Sequence, residues 1–379
     1  MTSDLSRRTL LCGMAAGAGT AGLPGDAIAQ GACRDGYGQG RCPLPMAQAT
    51  AASNEVFGPT GWKTIALESF TIDVVDYRKE AAFYAALLGW KLRDDDGQQA
   101  IMDIGDWGNC IFRAAAPESF GPGGPGKSAP RAAVRSFAWV IDKWDAHKVA
   151  AALEQRGMTP VAENKGPLES FRVKDPDGWS LQICNQKGLS SARKRPSSAR
   201  LQEAVPFAPT RWKTVWLDHM SFRVSNYKRS ASFYANLLGW QRTYDEGSQN
   251  ELMVGEIGDV LCRGGNPFVP GQEARTSSGN PGASIDHISF GIAPWDVEAV
   301  RGALESRGLR AQIDTSSAHL GPNNKIDQDD IYQAAFQSYH TDTPNGFNLQ
   351  ISWNTIDKRL ALANAVKPRA LRKYPAQPQ

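Results

Sequence analysis

Histidine is scarce in this chain. There are five in 379 residues, and four of them (His219, His287, His319 and His340) lie in the second half. Cysteine is sparse too, with six residues and no CxxC pair, which excludes a structural zinc site of the finger or ribbon kind. Neither sign of charge dominates: the formal net charge is +3, so composition predicts no nucleic-acid partner. The two basic runs, Ala192–Arg200 and Lys367–Tyr374, read as a solvated linker and a tail. Apart from a short Ala/Gly-rich run near the start, long apolar stretches are missing, and nothing approaches the roughly 20 residues of a membrane span. What remains is an ordinary globular composition, 41% hydrophobic and 21% charged, long enough for two domains.

The first 29 residues read as an export signal. Arg7 and Arg8 precede a weakly apolar run that ends in Ala27-Ile28-Ala29, an A-x-A cleavage pattern. Ser6–Leu11 (SRRTLL) resembles the twin-arginine (Tat) motif, so the expected partner is the Tat export machinery and the expected location is the periplasm. Cys33 and Cys42 bracket a Gly-rich loop whose spacing allows a disulfide in an oxidising compartment. Cys110, Cys184 and Cys262 sit in apolar, strand-like contexts and read as buried thiols.

The chain is internally duplicated. Phe57–Trp90 aligns without gaps on Phe207–Trp240, with 17 of 34 positions identical. Trp144–Gly157 matches Trp295–Gly308, and Asp175–Ile183 matches Asp342–Ile351. Each half divides again. In the second half Met220, Phe222 and Val224 alternate with polar residues, which is strand periodicity. A helix follows, with Asn226 as N-cap and Gly239 closing it. Three short strands come next. A further strand from Ile285, a helix over 295–307 and strands ending at Tyr339 and Ser352 repeat the order. The predicted fold is therefore α+β, four βαβββ modules in two pairs. The predicted division is 1–29 signal, 30–56 extension, 57–185 first domain, 186–210 linker, 211–354 second domain and 355–379 tail.

Paired βαβββ units with FYxxLLGW on the helix and DPDGxxLQI before the last strand resemble the vicinal oxygen chelate superfamily. This group includes glyoxalases, bleomycin-resistance proteins and type I extradiol dioxygenases; the two-domain type resembles the dioxygenases most. The resemblance implies a metal held in a cup by residues of first and last strands. Mapped position by position, it implies His219, His287 and Gln350 as ligands in the second half, with Cys262 at a fourth position. The matched positions of the first half are Ser69, Ser136, Gln182 and Phe112, a poor set for a transition metal, so one site is expected, in the C-terminal domain. The implied cofactor is one divalent ion, with Fe2+ favoured and Mn2+, Ni2+ or Zn2+ as alternatives.

Where the dioxygenases carry a glutamate ligand this chain has Gln350, as in some glyoxalases. His340, with Tyr339 beside it, falls ten residues before Gln350, where the resemblance implies an active-site Tyr, and is expected to act as acid/base or as an extra ligand. His319 and the acidic residues Asp327, Asp329 and Asp330 fall in a long insertion that reads as a lid. Asp218 and Asp286, next to the histidines, are expected on the opposite strand faces in structural roles. Trp212, Trp216 and Trp240 are expected in the core or at an interface. The bland alternative makes the paired histidines hydrogen-bonded core residues. Three functions remain: an extradiol-like dioxygenase acting on a small substrate with adjacent oxygens, a glyoxalase- or epimerase-like lyase or isomerase, and a metal-free periplasmic binding protein. Homo-oligomerisation is left open.

Overall fold

The computed structural model describes residues 56–105, 107–120, 130–187, 199–245, 249–255, 257–264, 284–313 and 338–353. The expected signal at 1–29, the Cys33–Cys42 pair, the lid with His319, Asp327, Asp329 and Asp330, and the C-terminal tail all lie outside these residues.

The first half runs β1 (Thr64–Val74), α1 (Tyr77–Leu88), β2 (Lys91–Asp95), β3 (Gln99–Ile104) and β4 (Gly108–Ala114). It continues with β5 (Ala132–Ile141), α2 (Ala146–Glu154), β6 (Val161–Lys165), β7 (Leu168–Lys174) and β8 (Ser180–Cys184). The second half repeats the order: β9 (Lys213–Arg223), α3 (Tyr227–Leu238), β10 (Gln241–Asp245), β11 (Gln249–Val254) and β12 (Gly258–Arg263). Then come β13 (Ser284–Ala293), α4 (Val297–Glu305), β14 (Gln312–Ile313), β15 (Ser338–Asp342) and β16 (Asn348–Trp353). Each half forms one eight-stranded mixed sheet, ordered β2-β3-β4-β1-β5-β8-β7-β6 and β10-β11-β12-β9-β13-β16-β15-β14. These are the four predicted βαβββ modules, paired through their first strands.

Local chemistry fixes the helix ends. Asn226 accepts from the Arg229 backbone N–H at 3.1 Å, satisfying a donor the helix leaves open. The last predicted helix starts later than its periodicity suggests, at Val297, because the carboxylate of Asp296 takes the N-cap and receives the Ala299 N–H at 2.8 Å. The strand expected to end at Tyr339 runs on to Asp342, which places His340 inside the ladder.

The two halves share one hydrophobic core. Core-side residues of the two sheets meet directly: Phe70 stacks on Phe290, Phe137 lies on Phe222, and Trp139 meets Trp240 edge to face. Each large aromatic buried this way contributes roughly 1.5–3 kcal/mol. Cys110, Cys184 and Cys262 are buried free thiols, as expected. With their apolar faces turned to the helices and to each other, the sheets turn their opposite faces away from the seam. No helix among the described residues is long and apolar enough to cross a membrane.

Candidate functional site

On the face opposite the shared hydrophobic core the C-terminal sheet carries a transverse polar row. Asp259 of β12 pairs with His219 of β9, His219 with Ser289 of β13, Ser289 with Gln350 of β16, and Gln350 with His340 of β15. His287 lies on the same face, opposite Ser221. His219, Ser289 and Gln350 are fully buried, and His287 is 6% exposed.

The two histidines meet. Their Nε2 atoms are 2.9 Å apart and their rings cross edge to face. His219 Nδ1 lies 2.8 Å from Asp218 Oδ2, and His287 Nδ1 lies 3.0 Å from Asp286 Oδ2. The aspartates therefore do not point away from the histidines, which corrects the expectation from strand alternation. Backbone register supplies the reason. Leu217 pairs with Phe290 and His219 with Ser289, leaving Asp218 as an extra residue; Ile285 pairs with Phe222 and His287 with Ser221, leaving Asp286 as another. Each aspartate occupies a β-bulge, which breaks the two-residue alternation and re-aims the side chain. Gly258 crowds the first bulge so closely that a Cβ there would sit 1.9 Å from the Leu217 carbonyl oxygen.

When a carboxylate accepts from Nδ1–H, the Nε2 of that ring is left with its lone pair outward. Nε2 atoms 2.9 Å apart either share a proton in one hydrogen bond or, with both lone pairs facing, take a cation between them. Bonds of about 2.1 Å from one first-row ion to two imidazoles at nearly a right angle span about this separation. The donors thus fit a divalent metal. Burial pushes the His287 imidazole down to about 3, with the hydrogen bond to Asp286 opposing and the neighbouring His219 and Arg263 adding to the shift, so this ring is neutral and able to ligate. Burial would raise Asp286, but the hydrogen bond with His287 and the guanidinium groups of Arg263 and Arg223 hold its carboxyl well below the usual range.

Gln350 Nε2 donates to Ser338 Oγ at 2.7 Å, which orients the amide and turns its oxygen the other way. The N-terminal copy has the same pair, Gln182 to Ser170 at 2.7 Å. Among the described residues no three His, Cys, Asp or Glu side chains form a metal cage by themselves, and the Gln350 amide is a further donor on the same face. His340 is next to this centre, its ring 5.1 Å from that of His287 and its Nδ1 2.9 Å from Asn348 Oδ1. The hydroxyls of Ser221, Ser289 and Ser352 are buried on this face with no hydrogen-bond partner among the described residues.

One sequence assignment changes. Tyr339 pairs with Ile351 and belongs to the hydrophobic core, on the face away from His340. Cys262 pairs with Phe222 in the same core, the buried thiol read from its context rather than the fourth position the resemblance implied. Trp216 is buried, as expected, opposite Gly291 on the face of the histidines, where the first half has Ala66. In that half, Ser69 accompanies Glu68, and Ala138, Val140 and Cys184 form a small apolar cluster. The 12-residue spacing of Ser to Gln in both halves was a signal open to sequence reading.

Residues 69–184 match the family model described as a glyoxalase-like domain. Over 117 residues the chain is 27% identical to the glutathione transferase FosA of Serratia marcescens, covering 31% of this chain and 78% of that protein. The fold is shared with solved structures at low identity. The Mn(II)-bound glyoxalase from Novosphingobium aromaticivorans superposes with a TM-score of 0.52 at 14% identity, over 78% of this chain and 83% of that one. Homoprotocatechuate 2,3-dioxygenase from Arthrobacter globiformis gives 0.50 at 15%, over 80% and 84%. The Brevibacterium fuscum dioxygenase bound to 3,4-dihydroxyphenylacetate gives 0.50 at 16%, over 79% and 83%.

Proposed function

We propose that this protein is a metal-dependent enzyme of the vicinal-oxygen-chelate type, with one divalent ion held in the C-terminal sheet by His219, His287 and Gln350. The substrate is a small molecule with two adjacent oxygens, an aromatic diol in the leading reading, and iron(II) is the leading metal. The observation that carries this is the pair of Nε2 atoms 2.9 Å apart with a carboxylate behind each ring. A bound divalent ion would act as a Lewis acid on those oxygens. The protein's own contribution is positional. Asp218 and Asp286 fix the two rings, Ser338 fixes the Gln350 amide, and burial of this face keeps bulk water out. His340, held through Nδ1 by Asn348, is placed to take or return a substrate proton. The buried serine hydroxyls offer unspent hydrogen bonds to substrate oxygens.

A second reading, a glyoxalase- or epimerase-like lyase or isomerase, is favoured by one feature: Gln350 supplies a neutral amide where a carboxylate would better support an iron oxidation cycle. We further propose Tat-dependent export to the periplasm, on the Arg7-Arg8 signal alone. The test is metal content by mass spectrometry, on wild type and on His219→Ala/His287→Ala. About one ion per chain, lost in the double variant, is expected. Oxygen uptake with catechols then separates ring cleavage from isomerisation. A wild type that stays metal-free after anaerobic Fe2+ reconstitution would leave a binding protein in its place.

A further inference from the structure

Both halves carry the same three-strand ionic clasp, but its charges are permuted. In the N-terminal sheet Asp73 of β1 is held by Arg113 of β4 (Nε–Oδ1 2.8 Å) and Arg135 of β5 (Nε–Oδ2 3.3 Å). In the C-terminal sheet the matched positions are Arg223 of β9, Arg263 of β12 and Asp286 of β13. Arg223 Nη2 reaches Asp286 Oδ1 at 2.5 Å, and Arg263 Nη2 holds Oδ2. Asp73 is opposite Arg113, as Arg223 is opposite Arg263. Arg135, like Asp286, is the extra residue of a bulge, since Thr71 pairs with Ser136 and Ile72 with Val134. Each clasp ties three strands together with two guanidinium groups on one carboxylate.

As a tie between strands, either arrangement serves. The permutation changes one thing: it moves the carboxylate onto the bulge residue beside position 287, where it receives His287 Nδ1. The acid occupies this position in the half whose neighbouring residue is a histidine, and is absent from it in the half where that residue is Ser136. We infer that Arg223 and Arg263 are positioning residues for His287, acting through Asp286. Each guanidinium pins one oxygen, so the carboxylate cannot rotate; the pinned carboxylate then fixes the ring's orientation and keeps its proton on Nδ1. That leaves the Nε2 lone pair directed at His219. Asp286 stands one step behind His287, and a partner at that remove from a metal ligand typically changes metal affinity about 10–100-fold when lost.

This inference rests on the metal reading above, and one experiment separates the two. Mn2+ affinity is measured by titration of the full chain, with thermal melting alongside. The decisive variant exchanges the charges, Arg223→Asp with Asp286→Arg, which restores the N-terminal arrangement and preserves an Arg–Asp–Arg clasp. The expected result is a melting temperature close to wild type and Mn2+ binding weaker by about 10–100-fold. The mirror exchange, Asp73→Arg with Arg135→Asp, keeps wild-type Mn2+ affinity. Should the first exchange prevent folding, Arg223→Gln with Arg263→Gln, which keeps Asp286 and removes what pins it, makes the comparison; weaker Mn2+ binding is expected, with a shifted visible spectrum of bound Co2+ reporting the altered ligand geometry. Unchanged Mn2+ affinity in the folded variant overturns the inference and leaves the metal reading standing. A wild type that binds neither Mn2+ nor Fe2+ overturns both.

Discussion

An imidazole is oriented to ligate a metal through one nitrogen when the other donates to a fixed partner, and a neutral amide presents its oxygen when its nitrogen is held back. His219, His287 and Gln350 each show such a commitment, to Asp218, Asp286 and Ser338. Among the three proposed ligands the amide is the weak member, carrying no charge to offset that of a divalent ion. Gln350→Glu is therefore expected to tighten Fe2+ or Mn2+ binding by tenfold or more, which is on the order of 1.4 kcal/mol or above. The Ser338 hydroxyl accepts from the amide today and would turn to donate to the carboxylate. Equilibrium titration against the wild type measures this, and an affinity that is unchanged or lower would remove Gln350 from the ligand set. The reverse change at a ring partner, Asp218→Asn, is expected to weaken the metal by a similar factor, read in the same titration.

At the scale of elements, the sequence exposes what is periodic and conceals what breaks the period. The four modules, the helix caps at Asn226 and Gly239 and the buried alternation of Met220, Phe222 and Val224 follow from spacing. The histidine pair stood out because it fell at matched positions of a repeat. Asp218 and Asp286 did not, because strand alternation assigns a neighbour to the opposite face and a bulge is a property of pairing rather than of one strand. Tyr339 misled for the same reason: adjacent to His340 in sequence, it is across the sheet from it in space. The LLGW signature has a physical cause that neither strand nor helix periodicity reveals. Gly239 ends α3 at φ +71°, and a Cβ there would lie 2.1 Å from the carbonyl oxygen of Trp62 in the other half. The equivalent Gly89 has φ +69° and 2.8 Å to Trp212. Gly239→Ala combines left-handed strain with overlap on backbone, and about 2–5 kcal/mol of destabilisation is expected. Gly89→Ala should cost less, since its Cβ has more room. Denaturant midpoints of the two variants check the order.

Over the whole molecule the duplication becomes an interface. The loop before β8 of the first half docks on α3 of the second: Asp177 accepts from the Ser225 N–H at 3.0 Å and from Ser230 Oγ at 3.2 Å, and Asp175 accepts from Tyr234 OH at 2.7 Å. The loop before β16 docks reciprocally on α1. Asn345 accepts from the Asp76 N–H at 3.1 Å, and its amide donates to Glu80 Oε2 at 2.7 Å. That second loop joins β15, which carries His340, to β16, which carries Gln350, so the first half braces the site although it lacks the histidines. Both contacts bury an acid. Burial lifts Glu80 to about 7 against the hydrogen bonds from Thr343 and Asn345, with Asp76 adding to the rise. Burial lifts Asp175 to about 6 against the bonds from Tyr234 and Trp179, with Asp177 adding to the rise. Arg156, Lys174 and Arg229 line an open groove beside Asp175. An acid with a raised folded pKa keeps its proton in the native state while the unfolded chain has lost it. Stability is then greatest below the unfolded value and falls as pH rises through the folded one, here between about 4 and 7. Each group accounts for a loss on the order of 3 kcal/mol across that window. The melting temperature is thus expected to drop between pH 5 and pH 8. Glu80→Gln, which keeps an acceptor for Asn345 without the charge, should raise it at pH 8 and flatten the slope. A profile that stays level or climbs toward pH 8, or one that Glu80→Gln leaves untouched, would show that these buried acids are not what couples the two halves to pH.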